Sequence, residues 1–473
     1  MNNKRTQKFW LIFSLLGFGT FPAAAQKPAA AGKQAPPPGG PPKPFIVPAN
    51  ETYSLPNGMR VTLIPYGNIP KVTLSLAMAA GNINEPKDKS SIADITGELM
   101  KEGTASLSAQ ALAETAARMG STLGIAVGMD QSTMDIDVLE EFGPDAVKLI
   151  ADVVQHPRLP ESEFPRLKTD ALRKLALQKS QPQTIAAARF RKILYGDHPY
   201  GELLPPEETI QKLTIADAKN FYSSNFGAAR AHLYVAGKFD GLAVKKAIES
   251  SFSGWAKGPA RVENVPTVKP KHVLDVTDRP GAPQSTIIVG LPVAGPTSAD
   301  WIPLSVTNTL LGGSFGSRIT SNIREQKGYT YSPFGQVSRR YHDAYWAEEA
   351  DVTTQYTGPS LKEIFGEIDR LQKEAPPAAE LQGIQNYMSG LFIIQNSTRE
   401  ALVRQLQYVD LQGLGVDYLK TFVQKVNAVT PADVQHMTTQ YLKPEQMTLV
   451  VLGDKSKISE QLVPYTPASG GTK

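Results

Sequence analysis

The sequence predicts an α+β fold built twice over: two homologous α/β domains, each an antiparallel sheet with helices on one face. Three observations lead there. The helix-opening stretch Thr214-Ile215-Ala216-Asp217 returns as Thr430-Pro431-Ala432-Asp433, at a separation of 430 − 214 = 216, and strands closing on Gly237 and Gly453 lie 453 − 237 = 216 apart. Upstream, Ala80-Gly81 and Ala294-Gly295 are offset by 294 − 80 = 214, so the spacing holds over distant landmarks, as an internal duplication requires. Within each half, strands and helices fall in separate runs, which favours layered α+β packing over an alternating βαβ order. At 473 residues, 41% hydrophobic and 20% charged, the chain has material for the cores of two ordinary domains.

In chain order, Lys4, Arg5 and Lys8, an apolar run over residues 9–21 and Ala23-Ala24-Ala25 make residues 1–25 a secretory signal peptide, cleaved before Gln26, with a periplasm as destination. Residues 26–48, dominated by Ala, Pro, Gly, Lys and Gln, read as a linker. The first domain spans residues 49–256. An Asn57-Gly58 turn leads into an alternating strand, residues 72–81 and 131–139 are strands, and Ala109, Leu112, Ala113, Ala116 and Met119 form a helical stripe closed by Gly120. A helical region covers residues 160–194, and Leu233, Val235 and Gly237 end the last strand. Residues 257–272, rich in Pro and Lys, connect to the second domain at 273–455. There, residues 301–311 read as a helix with Pro303 in its first turn, Leu361, Ile364, Phe365, Ile368 and Leu371 form a stripe, and Leu449, Val451 and Gly453 close a strand. Residues 456–473 read as a tail.

Composition removes several classes of function. A formal net charge of +4 is small for this length and argues against nucleic acid as a partner. The absence of cysteine excludes disulfides, thiolate metal sites, cysteine nucleophiles and lipid attachment through cysteine. No segment beyond the leader has about twenty uninterrupted apolar residues, so an integral membrane protein is not expected. The histidines are His156, His198, His232, His272, His342 and His436, and the nearest two are 232 − 198 = 34 residues apart, so no local pair can hold zinc.

The most specific stretch is Leu310-Leu311-Gly312-Gly313-Ser314-Phe315-Gly316-Ser317-Arg318, followed by Ile323-Arg324-Glu325-Gln326-Lys327-Gly328-Tyr329-Thr330-Tyr331-Ser332. Leu55-Pro56-Asn57-Gly58, Glu102-Gly103-Thr104 and His198-Pro199-Tyr200-Gly201 precede it in order. Together these closely resemble the pitrilysin/insulinase (inverzincin) zinc metallopeptidases, a group that includes mitochondrial processing peptidases and two-subunit bacterial relatives. The resemblance covers nearly the whole mature chain and implies half of a peptidase clamshell, in which four such α/β units close a chamber and this chain supplies two. Active members carry His-x-x-Glu-His on a helix before the Gly-Thr pair, placing two imidazoles on one helical face for zinc and a Glu to activate water. The matching positions here are Asp94, Gly97 and Glu98, and the third ligand, a Glu, should fall within residues 172–175, which contain Arg173 and Lys174. The zinc motif is degenerate, and no metal is expected in this chain. Asp94 and Glu98, four residues apart on one helical face, leave open a hard cation such as calcium or a solvated acidic face.

In the two-chain relatives one subunit holds zinc and the other contributes an Arg and a Tyr seven residues apart, here Arg324 and Tyr331 (331 − 324 = 7). The resemblance thus implies a non-catalytic subunit, inactive alone, that completes a heteromeric metalloendopeptidase. Zinc would sit in a partner bearing His-x-x-Glu-His, peptides would be the substrates, and Arg324 and Tyr331 would act in trans on substrate binding and the oxyanion. From spacing alone the same two residues read as a surface helix residue and a core strand residue. Two further readings stand beside this one. A structural or peptide-binding protein of the same fold needs no peptidase partner. A serine hydrolase would use Ser314, because Gly312-Gly313-Ser314-Phe315-Gly316 fits Gly-x-Ser-x-Gly with His342 or His436 downstream, yet that elbow needs a strand before it and residues 301–311 read as helix.

Overall fold

The computed structural model describes residues 45–467, so the leader and all but the end of the linker lie outside the described residues. The first half forms a six-stranded sheet from β1 (Glu51–Ser54), β2 (Arg60–Pro65), β3 (Lys71–Met78), β4 (Gly124–Val127), β5 (Ser132–Leu139) and β6 (Ala231–Gly237), in the order β1-β2-β6-β3-β5-β4. The second forms a five-stranded sheet from β7 (Val273–Asp278), β8 (Gln284–Val293), β9 (Phe334–Val337), β10 (Ala344–Thr353) and β11 (Thr448–Gly453), in the order β7-β11-β8-β10-β9. One pairing in each is parallel, β2 with β6 and β7 with β11, and the others are antiparallel. With β1 set aside, the two sheets share strand order and sense. The duplication is therefore visible in three dimensions.

The helices of the first half are α1 (Ile92–Leu99), α2 (Ala109–Arg118), α3 (Gly143–Gln155), α4 (Phe164–Ser180), α5 (Pro182–Tyr195), α6 (Glu207–Lys212), α7 (Ile215–Asn225) and α8 (Gly241–Phe252). Those of the second are α9 (Trp301–Leu311), α10 (Thr357–Lys373), α11 (Ala378–Gln395), α12 (Arg399–Gln412), α13 (Asp417–Ala428), α14 (Pro431–Tyr441) and α15 (Lys455–Leu462). The repeated Thr-x-x-Asp stretches open α7 and α14 as capping boxes. Thr214 accepts from Asp217 N at 3.3 Å while Asp217 accepts from Thr214 N at 2.8 Å, and Thr430 and Asp433 repeat this at 3.2 and 2.8 Å.

Alternation along the strands sends Leu233 and Val235 into the first core and Tyr234 and Ala236 to the opposite face of the sheet. That opposite face is not left to water. α12, from the second half, lays Leu402, Leu406 and Val409 across it. Reciprocally, α5 from the first half lays Ala186, Phe190 and Leu194 against Ile288, Val450 and Leu452 of the second sheet. Each half therefore keeps its own helices on one face, as expected, and receives one helix from the other half on the second face. Strands β6 and β11 are consequently buried at every residue. A bare backbone at Gly290 admits α5: a Cβ there would come within 2.9 Å of Phe190 Cζ.

The helical region over residues 160–194 divides at Gln181, whose extended backbone (φ −94°, ψ 118°) precedes Pro182, as a residue before proline prefers. α4 stays with its own half, and α5 leaves for the other. Two boundaries also move. The end of the linker packs down, with Phe45 edge-on to Phe392 at 5.1 Å. The stretch from residue 456, read as a tail, begins with α15, whose Ile458 and Leu462 are buried in the second core at the i, i+4 spacing of a docked helix.

Polar contacts fix α12 in register. Arg399 meets Asp137 at 3.2 Å, Gln407 donates to Ser75 at 2.7 Å, and Asp410 accepts from the Tyr234 hydroxyl beside His232 Nδ1 at 3.2 Å. Burial pushes the His232 imidazole below its ordinary value, so it is neutral at pH 7. Replacing Asp410 by Ala leaves the Tyr234 hydroxyl only His232 Nδ1, at 2.9 Å, and removes the carboxylate that faces Arg60 at 3.5 Å. Urea unfolding should show a loss of about 1–3 kcal/mol, and an unchanged midpoint would mean that this contact does not hold α12.

Candidate functional site

The positions that match the zinc motif lie on α1. Its start is held by Glu85, which accepts from Ser91 N at 3.1 Å and Ala93 N at 2.9 Å and whose carboxyl burial pushes up to about 7. Asp94 accepts from Asn82 at 2.7 Å and faces Lys174 at 3.9 Å. Glu98 turns to Lys101 at 2.8 Å, and Arg173 to Asp170 at 3.1 Å. Gly97 rests on β4 so closely that a Cβ would lie 2.7 Å from Val127 Cγ2. Lys174, within the stretch expected to supply the third ligand, thus brings an ammonium to Asp94 where a metal would need a carboxylate. These residues do not fit zinc, and the two carboxylates proposed for a hard cation are committed to separate partners. Among the described residues no group of three or more His, Asp or Glu side chains could hold a metal ion. A cavity of about 200 Å³ remains over Asp94, Glu85, Lys174 and Glu202.

Arg324 and Tyr331, by contrast, are brought together. Ile319 and Ile323 are fully buried and anchor a π-helical turn, Thr320–Gln326, in which Lys327 N bonds Asn322 O at 3.0 Å. Gly328, at φ +66°, reverses the chain, and Thr330 ties it to β10 through Asp351 O at 2.7 Å. Tyr331 is thereby turned outward, 79% exposed. The Arg324 guanidinium carbon lies 4.9 Å from the Tyr331 ring centroid and 4.3 Å from that of Phe315, itself 67% exposed. A cation held between two aromatic faces is oriented before anything binds. The reading of Tyr331 as a core residue is overturned. Phe315 had no role assigned from sequence, although it stands in the most specific motif.

The loop carrying Phe315 has an unusual support. Along β10, alternation points Trp346, Glu348 and Ala350 the same way, and Glu348 is fully buried beneath Gly312 and Gly335 with neither carboxyl oxygen hydrogen-bonded among the described residues. A Cβ on Gly335 would lie 2.6 Å from Glu348 Oε2, and one on Gly312 would collide with it. Ser314 follows the helix α9 rather than a strand, its Oγ is buried without a partner among the described residues, and His342 bonds Gln412 instead. His436 is exposed on α14. No nucleophile elbow is formed, and the serine-hydrolase reading fails.

Burial, with repulsion from Glu349, holds the Glu348 carboxyl well above its ordinary 4.5. The folded chain thus keeps a proton that the unfolded chain releases, so stability is full below pH 4.5 and falls as pH rises. Glu348→Gln removes that cost. Its stability relative to the parent should grow as pH rises above the ordinary carboxylate range, by at most about 1.4 kcal/mol per pH unit and only until the folded-state carboxyl itself ionises, read from denaturation midpoints between pH 5 and 8. A difference independent of pH would mean that Glu348 is not buried as an acid.

Comparison with known proteins bears on both regions. Residues 60–205 match the family profile described as insulinase (peptidase family M16), and residues 212–388 match that described as peptidase M16 inactive domain. Among curated relatives, an uncharacterized zinc protease, YmxG, of Bacillus subtilis is 24% identical over 82% of this chain and 94% of its own. A protein of Helicobacter pylori named a non-peptidase homolog is 20% identical over 82% and 90%. Among solved structures, a peptidase M16 inactive domain from Pseudomonas fluorescens superposes with a TM-score of 0.78 at 23% identity, covering 85% of this chain and 98% of its own. A Helicobacter pylori protease superposes with a TM-score of 0.80 at 21% identity, covering 86% and 100%. No helix among the described residues is long and apolar enough to cross a membrane. With its zinc-motif helix degenerate and both profiles matched in order, the chain belongs to the insulinase (M16) peptidase family as a member of the non-catalytic type.

Proposed function

We propose that this chain is the non-catalytic subunit of an exported heteromeric metallopeptidase, acting on peptides beside a zinc-bearing partner of the same family. The observation that carries this reading is the stack of half-buried Arg324 with the exposed rings of Phe315 and Tyr331, Arg324 and Tyr331 lying seven residues apart in sequence and in contact in space, with Arg324 Nε facing Glu325 at 3.3 Å. A stacked guanidinium still offers its N–H edge to peptide carbonyls, and the Tyr331 hydroxyl is a donor at the exposed end. Such donors, oriented beforehand, act where negative charge develops on a carbonyl oxygen under attack. Zinc in this reading belongs to the partner, which the Lys174 ammonium beside Asp94 and the missing side chain at Gly97 support. Export rests on residues 1–25.

The tagged chain, recovered from its own cells, should bring with it a second chain bearing His-x-x-Glu-His. Chelator-sensitive hydrolysis of an unfolded peptide should require both chains. Within that pair, Tyr331→Phe should assemble normally and lower turnover by about a hundred- to a thousandfold, the usual effect of losing one oxyanion donor. Arg324→Ala should also raise KM, since carbonyls are held in ground and transition states alike. Ser332→Ala should leave both constants in place. Wild-type turnover by an assembled Tyr331→Phe pair would overturn the role in trans and leave a structural or peptide-binding protein.

A further inference from the structure

Arg324 owes its direction to the turn that carries it. Among the described residues its one polar partner is Glu325, the next residue in the chain, at 3.3 Å. No distant carboxylate holds the guanidinium, so the path of residues 320–326 decides where it points. That path is wider than an α-helical turn. Lys327 N reaches back five residues to Asn322 O at 3.0 Å, and Ile323 O accepts instead from Tyr329 N at 2.8 Å. Short π-helical turns of this kind recur at functional sites.

Both ends of the closure are gripped from α10. The Asn322 amide donates to Glu363 Oε2 at 3.0 Å and to Glu367 Oε1 at 2.7 Å, as the two N–H groups of one amide allow. Lys327 Nζ meets Glu363 Oε1 at 3.0 Å, so Glu363 spans the first and last residues of the wide turn. Leu361, Ile364 and Ile368 of α10 are fully buried, which makes the grip a fixed one. Against the cost of burial, Lys327 and Asn322 hold the Glu363 carboxyl below its ordinary value, so it is charged at neutral pH. The arrangement is costly. Glu363 and Glu367 are like charges four residues apart, Glu367 is 3% exposed with Arg370 at 3.3 Å as its other partner, and Asn322 Oδ1 is buried unpaired among the described residues. We infer that Asn322, Glu363 and Lys327 are positioning residues for Arg324: they fix the wide turn and, through it, the stack with Phe315 and Tyr331. The kinetic consequence rests on the role of Arg324 in trans proposed above, whereas the placement itself needs no partner chain.

The purified chain suffices for the first measurement. Rings centred 4.3 and 4.9 Å from the guanidinium carbon displace the Arg324 Nε–Hε NMR signal by their ring currents, and Arg324→Lys identifies that signal by removing it. Asn322→Ala and Glu363→Ala should each return it most of the way to the position of a free arginine. Lys327→Ala should return it in part, and Lys327→Arg, which keeps the ion pair, should leave it in place. Lys327 is half-exposed, so its replacement spares the fold even where Asn322→Ala does not. The Arg189 signal, held by Asp275 across the halves, should not move in any of them. In the reconstituted pair, Glu363→Ala should raise KM and lower turnover by up to about a hundredfold, as a small misplacement can, and should add nothing to Arg324→Ala. An Arg324 signal that stays in place in Glu363→Ala and Lys327→Ala, whatever their melting temperatures, would overturn the positioning. A signal that moves while the assembled pair keeps wild-type kinetics would uphold the positioning and overturn the role of Arg324 in trans.

Discussion

The exchange of α5 and α12 between the halves is the constraint from which the rest of the structure follows. A sheet whose helices cover one face still has a second face to hide, and here each half uses the other to do so. The energetic weight lies in burial: Phe190 and Leu194 on one side, and Leu402, Leu406 and Val409 on the other, each remove apolar surface worth roughly 1.5–3 kcal/mol per side chain. Polar contacts then select the register. Arg399 meets Asp137 of β5 at the start of α12, Gln183 donates to Asp351 of β10 at 2.7 Å at the start of α5, and Arg189 adds an ion pair with Asp275 midway along α5. Neither half is therefore a free-standing unit, and β6 and β11 are the strands that record it.

With both sheets fixed, the second half can carry its exposed stack on a rigid base. β10 supports the glycine loop through Glu348 and the Arg324–Tyr331 turn through Thr330. One strand thus positions Phe315 from below and Tyr331 from the side. The glycines are required here for space rather than flexibility, since Gly312 and Gly335 lie against the Glu348 carboxyl. A buried acid under a loop is costly, and such costs tend to persist where placement matters. That the loop bears the aromatic face against which Arg324 stacks gives the cost a physical purpose.

Much of this was legible because the signals are local. A capping box closes within four residues, so Thr214 with Asp217 and Thr430 with Asp433 announced the repeat wherever the helices went. The break at Gln181-Pro182 is equally local, but the destination of α5 is not: Ala186, Phe190 and Leu194 look the same packed on either sheet. Arg324 and Tyr331 were found through resemblance, whereas Phe315 depends on a contact across the loop that no periodicity shows. The burial of Glu348 was readable from alternation with Trp346 and Ala350, and was missed because a carboxylate is expected outside. The helix at residue 456 was missed for its charge, although Ile458 and Leu462 carry a docked helix's spacing.

The two halves have diverged along physical lines that complement one another. In the first, the helix bearing Asp94, Gly97 and Glu98 has come to rest on β4, and Lys174 supplies the positive charge beside Asp94. A side chain at position 97 would press on Val127, and a cation beside Asp94 would face the Lys174 ammonium. The degeneracy is thus built into packing as well as into residue identity. In the second half the same architecture keeps its donors outward and oriented, on a surface that its own core does not need. A chain whose zinc-motif helix is closed by packing, while an aromatic–guanidinium stack stays at its surface, has the form expected of a non-catalytic member of the family.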